Sequence, residues 1–160
     1  MAYIYPAPGV ANVQATLTLT TSGATGPLAM PALQDVTINN SNDVFTWTQL
    51  DSSSKKQVAT TATNSMSMNC VLDKTTFFGT TADSAQSASA AAQGIFQLSK
   101  NKTLVGFSLY MGDTDGGASG PTITGNAYVT GLAPTVSADS PVWVSPITLT
   151  VTGDYSVSNG

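Results

Sequence analysis

Glutamate, arginine and histidine are missing from the sequence, and there is a single cysteine, Cys70. Without histidine, the Ser-His-Asp and Cys-His catalytic arrangements and His-ligated zinc sites are excluded. Without glutamate, there is no glutamic acid with a raised pKa of the kind that many hydrolases use, and without arginine there is no bidentate clamp for phosphate groups. A lone thiol cannot form a bridge within the chain. The sequence therefore predicts a protein that is not an enzyme and that needs no cofactor, metal ion or internal disulfide.

Charge is also scarce. Five lysines and nine aspartates give a formal net charge of -4, and only 9% of the residues are charged, compared with ~25% in an ordinary soluble domain. The polar surface must therefore consist largely of hydroxyl and amide groups, and the chain has 24 threonines and 18 serines. An acidic surface repels polyanions, so tight binding of DNA is not expected. A surface with so few charges is also poorly protected against self-association, which favours a protein that assembles.

Long hydrophobic runs are absent too. No segment approaches the ~20 apolar residues of a membrane span, and the first residues, MAYIYPAPGVANV, lack the basic region of a signal peptide. We expect a protein that is made in the cytoplasm without export and has no membrane partner. A length of 160 residues suits a single domain over residues 1–160, with enough chain to bury a sizeable core.

The remaining sequence has the pattern of an antiparallel β protein. Segments rich in threonine and valine alternate between apolar and polar residues with a period of two, and glycine and proline separate them. The strands expected are ATLTLTT, VTINN, DVFTWTQL, SMSMNCVL, KTLVGFSLY, TITGNAYVTGL and VWVSPITLTVTG, with an irregularity or a sheet edge at Pro146. The residues expected in the core are Ala15, Leu17, Leu19, Met66, Met68, Cys70, Leu72, Val105, Phe107, Leu109, Val142, Val144, Ile147 and Leu149.

One segment has a helical pattern. DSAQSASAAAQG predicts an α-helix over about residues 83–93, with Asp83 as the N-cap and Gly94 at the end. Its narrow alanine-rich stripe would lie close against a sheet. Long loops are expected at about 22–35 and 51–64, together with a flexible N-terminal segment. The predicted fold is thus mainly β, an antiparallel sandwich or barrel with one packed helix.

Two motifs that could carry chemistry are better explained as turns or loops. The run from Asp113 to Gly117 resembles the start of a calcium loop, but Thr124 stands where an EF-hand needs its bidentate glutamate, so a glycine-rich turn is the preferred interpretation. S-x-x-K occurs at Ser52 and Ser53, yet the companion motifs S-D-N and K-T-G are absent. That polar segment is typical of a solvated loop.

The C-terminal third, TITGNAYVTGLAPTVSADSPVWVSPITLTVTGDYSV, resembles the major tail tube proteins of long-tailed bacteriophages. The strand AYVTGLAPT, a short polar turn and the closing strand ITLTVTG carry the resemblance. Ahead of them, NSMSMNCVLDKTTFFG, the alanine-rich helix and KTLVGFSLY follow the family's order of strand, helix and strand. WTQLDSSSKKQ is similar, more loosely, to the family's polar segment after its early strands. The resemblance covers residues 44–157.

This resemblance implies a β-sandwich with a flanking helix, built into a phage tail. Six copies would close into a ring, rings would stack into a tube, and DNA would pass through the lumen without specific binding. Other tail proteins would be partners at the tube ends. For the contact between stacked rings, we expect the segment 51–64 with Lys55 and Lys56 to contribute, and Leu28, Met30 and Leu33 to add apolar contact.

Two other classes of protein fit part of the pattern. A capsid decoration protein is also small, β-rich and acidic, but it would form a closed trimer. A carbohydrate-binding adhesin module would use aromatic side chains such as Tyr3, Tyr5, Trp47 and Trp143 as a stacking platform. Aromatic residues that alternate along strands are more typical of a core or an interface.

Overall fold

The computed structural model describes residues 15–21, 25–30, 33–112 and 120–159. The predicted flexible N-terminal segment, up to residue 14, and the glycine-rich turn that begins at Asp113 lie outside the described residues. The elements, in chain order, are β1 (Thr16–Thr21), β2 (Leu28–Ala29), β3 (Leu33–Thr48), β4 (Lys55–Val71), α1 (Lys74–Phe78), α2 (Ala90–Lys100), β5 (Val105–Tyr110), β6 (Thr122–Leu132), β7 (Thr135–Ser137) and β8 (Ser140–Ser158).

The strands form one antiparallel sheet, which confirms the predicted class. Its order is β2-β1-β5-β6-β8-β4-β3, and β7 pairs with the start of β8. Ile38 of β3 and Phe107 of β5 line the same small cavity, although four inter-strand steps separate their strands. In a flat sheet they would be about 19 Å apart. The sheet therefore curls, and its two halves enclose the core between them.

The core follows the alternation that the sequence predicts. Side chains from four strands and both helices are buried in it: Leu17, Leu19, Met66, Met68, Cys70, Phe77, Ile95, Leu98, Val105, Phe107, Leu109, Ile147 and Leu149. Val142, however, is exposed, so its predicted place in the core is wrong. The reason is that the pairing of β8 with β4 ends at Val144, opposite Val71. Residues before Val144 extend past the main sheet.

The irregularity expected at Pro146 affects one side of β8. On the β4 side, Pro146 pairs in register with Asn69. On the other side, β8 pairs with β6 up to Ile147 and with β7 from Val144. Pro146 therefore lies where the neighbour of β8 on that side changes from β6 to β7. Because the hydrogen-bonded pairing is interrupted there in any case, the missing N–H of Pro146 removes no bond from it.

The predicted helix is wrong in its position and its ends. Residues 83–89 form turns, and α2 begins at Ala90 with Ser89, not Asp83, as the N-cap. Gly94 is a kink inside α2, with φ 69° and ψ 169°, and the helix continues to Lys100. A short second helix, α1, precedes it and was not predicted. The prediction started the helix too early because it took Asp83 as the cap, and it ended the helix too early because it took Gly94 as the end, where α2 has only a kink.

Two buried amide side chains bind the backbone of the non-helical segment before α2. Gln93 Nε2 donates to the carbonyl oxygens of Gln86 (3.1 Å) and Ala88 (2.8 Å), while its Oε1 accepts from Thr103 Oγ1 at 2.9 Å. Gln97 Nε2 donates to the carbonyl oxygens of residues 78 and 81. Because a buried amide without partners is costly, these bonds fix a single arrangement of the helices.

The loop predicted over 51–64 is wrong for most of its length. Residues 55–64 belong to β4, and a short turn over residues 49–54 joins them to β3.

VTINN and DVFTWTQL, predicted as separate strands, are both parts of β3, which runs without a break from Leu33 to Thr48. The predicted loop at 22–35 contains β2 and the start of β3. The part of β4 that was predicted as a loop is polar and buries neither face. It therefore lacks the alternation of apolar and polar residues by which a strand is recognised in a sequence.

Candidate assembly surface

The paired ends of β3 and β4 extend beyond the rest of the sheet. In the part of the chain that the structure describes, β4 pairs with β8 from Ser65 to Val71, whereas residues 55–64 pair with β3 alone. We call residues 40–64 the ribbon. At ~3.4 Å per residue, the ribbon extends about 30 Å from the sheet.

The ribbon has an exposed apolar face. Phe45 and Trp47 stack with their ring centroids 5.9 Å apart, and Phe45 lies across from Val58 in the register. Phe45 is 59% exposed and Val58 is 50% exposed, while Leu50 in the turn is fully exposed. An isolated two-stranded hairpin is marginally stable in water, and grouped apolar side chains of this kind mark contact sites.

The two lysines of the ribbon lie on opposite faces. Lys56 is paired with Trp47 and therefore shares the aromatic face, whereas Lys55 is paired with Thr48 on the other face. Among the described residues, an ion pair within 4 Å joins Lys100 to Asp83, and neither ribbon lysine has such a partner. The structure thus brings Lys56, but not Lys55, together with the aromatic side chains.

The apolar residues expected at the contact between rings lie elsewhere. Leu28 and Met30 are each only 6% exposed in the core of the protomer, and Met30 N–H donates to the Leu17 carbonyl oxygen at 2.9 Å. They hold β2 against β1 and are not available for contact with another copy. Leu33 begins β3, opposite Cys70. Phe45 and Val58 were not among the residues predicted for a contact, although the alternation of Phe45 and Trp47 along one strand is a usable signal.

A second exposed apolar group lies at the other end of β4, on the β7–β8 hairpin. Val136, Val142 and Trp143 are 45–52% exposed there, and Asp139 lies in the turn between the two strands. The Leu72 N–H donates to the Trp143 carbonyl oxygen at 2.9 Å, which ties this hairpin to the end of β4. We call Val136, Asp139, Val142 and Trp143 the corner.

The outward face of the sheet is covered by small hydroxyl side chains. Thr18, Ser108, Thr124 and Ser156 are neighbours across β1, β5, β6 and β8, and they line a shallow groove of about 440 Å³. Asp154 is the charged residue in that lining. No cation lines the groove, so it lacks the positive charge that attracts a phosphate group.

The described residues contain little that could perform chemistry. None of them forms a group of three or more His, Cys, Asp or Glu side chains able to hold a metal ion. Cys70 is buried, and the pKa of its thiol is raised by burial and then by the charge of Asp73. Ser52 Oγ accepts a hydrogen bond from the Ser54 N–H at 3.2 Å, as in an ordinary turn. No described helix is long and apolar enough to cross a membrane.

Comparison with solved structures identifies the fold. A chain of the anti-feeding prophage baseplate, reconstructed with six-fold symmetry, superposes with a TM-score of 0.71 at 10% identity, covering 99% of this chain and 98% of that chain. The SPP1 tail tube gives a TM-score of 0.65 at 9% identity, over 97% and 80% of the two chains. This chain has the tail tube fold. The tail of the gene transfer agent particle, determined with C6 symmetry, gives a TM-score of 0.65 at 13% identity, covering 95% of this chain and 99% of that chain.

The predicted resemblance to tail tube proteins is therefore confirmed at the level of the fold. No protein-family model matches the sequence, and a search of curated proteins finds no match. At 9–13% identity, the likeness resides in the arrangement of strands and not in shared residues.

Proposed function

We propose that this protein is the subunit of a phage-type tail tube, a structural component of the virion. In this proposal six copies close into a ring, and the rings stack head to tail. The observation that carries it is the ribbon: an extension of about 30 Å whose exposed aromatic face has no partner among the described residues. The fold supports it, since solved assemblies of the same fold have six-fold symmetry.

Ring closure follows from the edges of the sheet. β3 is the last strand of the sheet order and has 16 residues, so one whole side of it has no neighbour among the described strands. A long unpaired edge invites pairing with another chain. When each copy pairs with the next through a repeated heterologous contact and the rotation closes, the result is a ring without free edges.

Ring stacking is assigned to the ribbon. Six copies at -4 each give a ring a formal charge of -24, so neighbouring rings repel. Lys55 and Lys56 near the end of the ribbon would relieve that repulsion by reaching an acidic surface. Exposed ion pairs contribute only ~0.2 to 1 kcal/mol each, so the contact also needs the apolar side chains Phe45, Trp47 and Val58.

The lumen of such a tube would conduct DNA. An acidic, arginine-free subunit releases few counterions on meeting DNA and has little affinity for it. The hydroxyl side chains on the outward face of the sheet suit a surface along which a polyanion slides. Other tail proteins would cap the two ends of the tube, where a ring contact is left open.

The other two classes gain no support. The platform predicted for a carbohydrate would include both Trp47 and Trp143, but Trp47 pairs near the start of β4 and Trp143 lies beyond its end. No feature of the described residues favours a closed trimer over a ring.

Sedimentation velocity at rising protein concentration tests the proposal. The natural protein should shift from small species to rings and open-ended polymer. The variant Phe45→Ser with Trp47→Ser should stay small, because it loses the apolar face of the ribbon. Phe78→Ser is the matched control, since Phe78 is as exposed as Phe45 (56% against 59%) but lies on α1. A natural protein that remains a monomer or a trimer at every concentration would refute the proposal.

A further inference from the structure

The ribbon leaves the sheet at a fork between β4 and β8. The last pair that joins these two strands is Ser65 with Thr150. Beyond that pair, residues 152–158 of β8 are paired with β6, while residues 55–64 of β4 are paired with β3. Backbone pairing with β8 therefore fixes the direction of the ribbon only up to the fork.

A bulge in β8 lies just beyond this fork. Between two regular pairs with β6, residues 153–155 of β8 lie opposite Gly125 alone. Gly153 has a φ of 75°, a conformation that favours glycine, and Asp154 Oδ1 accepts a hydrogen bond from the Tyr155 N–H at 2.9 Å. A bulge of this kind bends its strand and redirects the side chains that it carries.

The side chain of Tyr155 reaches from the bulge to the base of the ribbon. Its hydroxyl group donates to Asn40 Oδ1 at 2.9 Å, and Asn40 is the first residue of the ribbon. Gly125 leaves room for this side chain, since a Cβ atom on Gly125 would lie 3.0 Å from both the Tyr155 Cβ atom and the Phe107 ring. Tyr155 also packs against the core. Its ring is thus held in the body of the protomer while its hydroxyl group binds the ribbon.

A small rotation at the fork is amplified along the ribbon. Because the ribbon extends about 30 Å, a rotation of about 10° would move its tip by roughly 5 Å, about the spacing of neighbouring strands. The exposed side chains of Phe45 and Trp47 would shift by a large part of that distance. A contact that depends on these side chains therefore needs a defined angle at the base.

We propose that Tyr155 is a positioning residue for assembly: its hydrogen bond to Asn40 sets the angle between the ribbon and the sheet. This rests on the proposed function, in which the ribbon contacts another copy, and it names the group within the protomer that orients that surface. Asn40 is exposed, so water replaces the bond when it is lost, and the bond adds little to the stability of the protomer. Its main effect is on the direction of the ribbon.

Distances between two spin labels, from double electron–electron resonance, measure this angle. One label is attached at Leu50→Cys in the turn of the ribbon, and the other at Lys74→Cys, an exposed position at the start of α1. Cys70 is buried and takes little label. Below the concentration at which copies associate, Tyr155→Phe should broaden the distance distribution, because it removes only the hydroxyl group. The matched control Tyr128→Phe, at an exposed ring on β6, should leave the distribution unchanged.

Assembly of the unlabelled protein gives a second measurement. Tyr155→Phe should raise the concentration at which tubes form by about five-fold or more, the effect of losing one ordinary hydrogen bond. Asn40→Ala should have the same effect. The double variant should be no worse than either single variant, because both substitutions remove the same bond. Asn40→Asp keeps an acceptor oxygen and should retain the narrow distance distribution.

The outcomes separate a positioning role from a local role in stability. A broader distribution together with weaker tube formation, in Tyr155→Phe and not in Tyr128→Phe, supports the proposal. An unchanged distribution in Tyr155→Phe overturns it, whatever the variant does to the urea concentration at which the protomer unfolds. Unchanged tube formation, or additive effects of Tyr155→Phe and Asn40→Ala, also overturns it. If the natural protein forms no tubes, the proposed function fails, while the label distances still decide whether Tyr155 sets the angle.

Discussion

Gly94 packs so closely against Gly79 that a Cβ atom on Gly94 would lie 2.3 Å from the Gly79 backbone nitrogen. Both residues have positive φ angles, 77° at Gly79 and 69° at Gly94, with ψ near 180°. That region of backbone conformation is essentially restricted to glycine. The contact joins the end of α1 to the kink of α2 and so sets where the helices lie against the sheet.

Gly94→Ala should destabilise the protomer by about 3 kcal/mol or more, since backbone strain adds to a clash with backbone atoms that cannot move aside. Gly153→Ala is the matched control: its φ is 75°, but nothing lies within 4 Å of the added methyl group. It should cost only ~1 to 2 kcal/mol of backbone strain. Urea unfolding of both variants measures the difference, and equal losses would show that the close approach has no energetic role.

Asp73 should make a pH-dependent contribution to stability. Its carboxylate accepts from the Thr76 N–H at 2.8 Å and from Thr76 Oγ1 at 2.6 Å, capping α1. These hydrogen bonds, the side-chain one first, lower the pKa of Asp73 below its ordinary value. The stabilisation is therefore complete above the carboxyl's unfolded pKa of about 3.9 and is lost as the pH falls through the lower folded value.

Asp73→Ala should cost about 0.5 to 2 kcal/mol at pH 7, and the gap from the natural protein should narrow in acid. Asp73→Asn keeps a capping oxygen without the charge, so its stability should lack this pH dependence. Thermal unfolding between pH 7 and pH 2.5 measures both. A gap between the natural protein and Asp73→Ala that stays constant across that range would refute the assignment of the cap.

The core could be predicted from the sequence because burial of one face leaves a period-two pattern. Met66 and Met68 alternate with serines in β4, and Val105 and Phe107 alternate with small residues in β5. Met66, Met68, Val105 and Phe107 are all buried, as the pattern predicts. The same pattern is weak wherever a strand is exposed on both faces.

The ribbon is the part of the candidate site that the sequence could not reveal. Residues 55–63 are exposed on both faces, so their strand depends on the register with β3 and not on burial. The helix was misplaced for a related reason: hydrogen bonds with the side chains of Gln93 and Gln97 hold residues 84–88 in a non-helical arrangement. Composition records neither kind of non-local pairing. The burial of Leu28 and Met30 likewise depends on β2 meeting β1.

Duplex DNA should bind the protein weakly and with little dependence on salt. The formal charge is -4 per copy, and the groove on the outward face of the sheet has no lysine in its lining. A mobility-shift assay at two salt concentrations measures both properties. Ser108→Lys with Thr124→Lys, which puts two neighbouring cations on that face, is the positive control and should bind with a clear salt dependence. Tight, salt-sensitive binding by the natural protein would contradict an inert conduit.

Electron microscopy of the purified, concentrated protein tests the central claim most directly. A tail tube subunit should form open-ended hollow tubes, with six-fold symmetry in end views and with density for the ribbon bridging successive rings. Particles that remain discrete trimers or monomers, or closed rings that never stack at any concentration, would contradict the account.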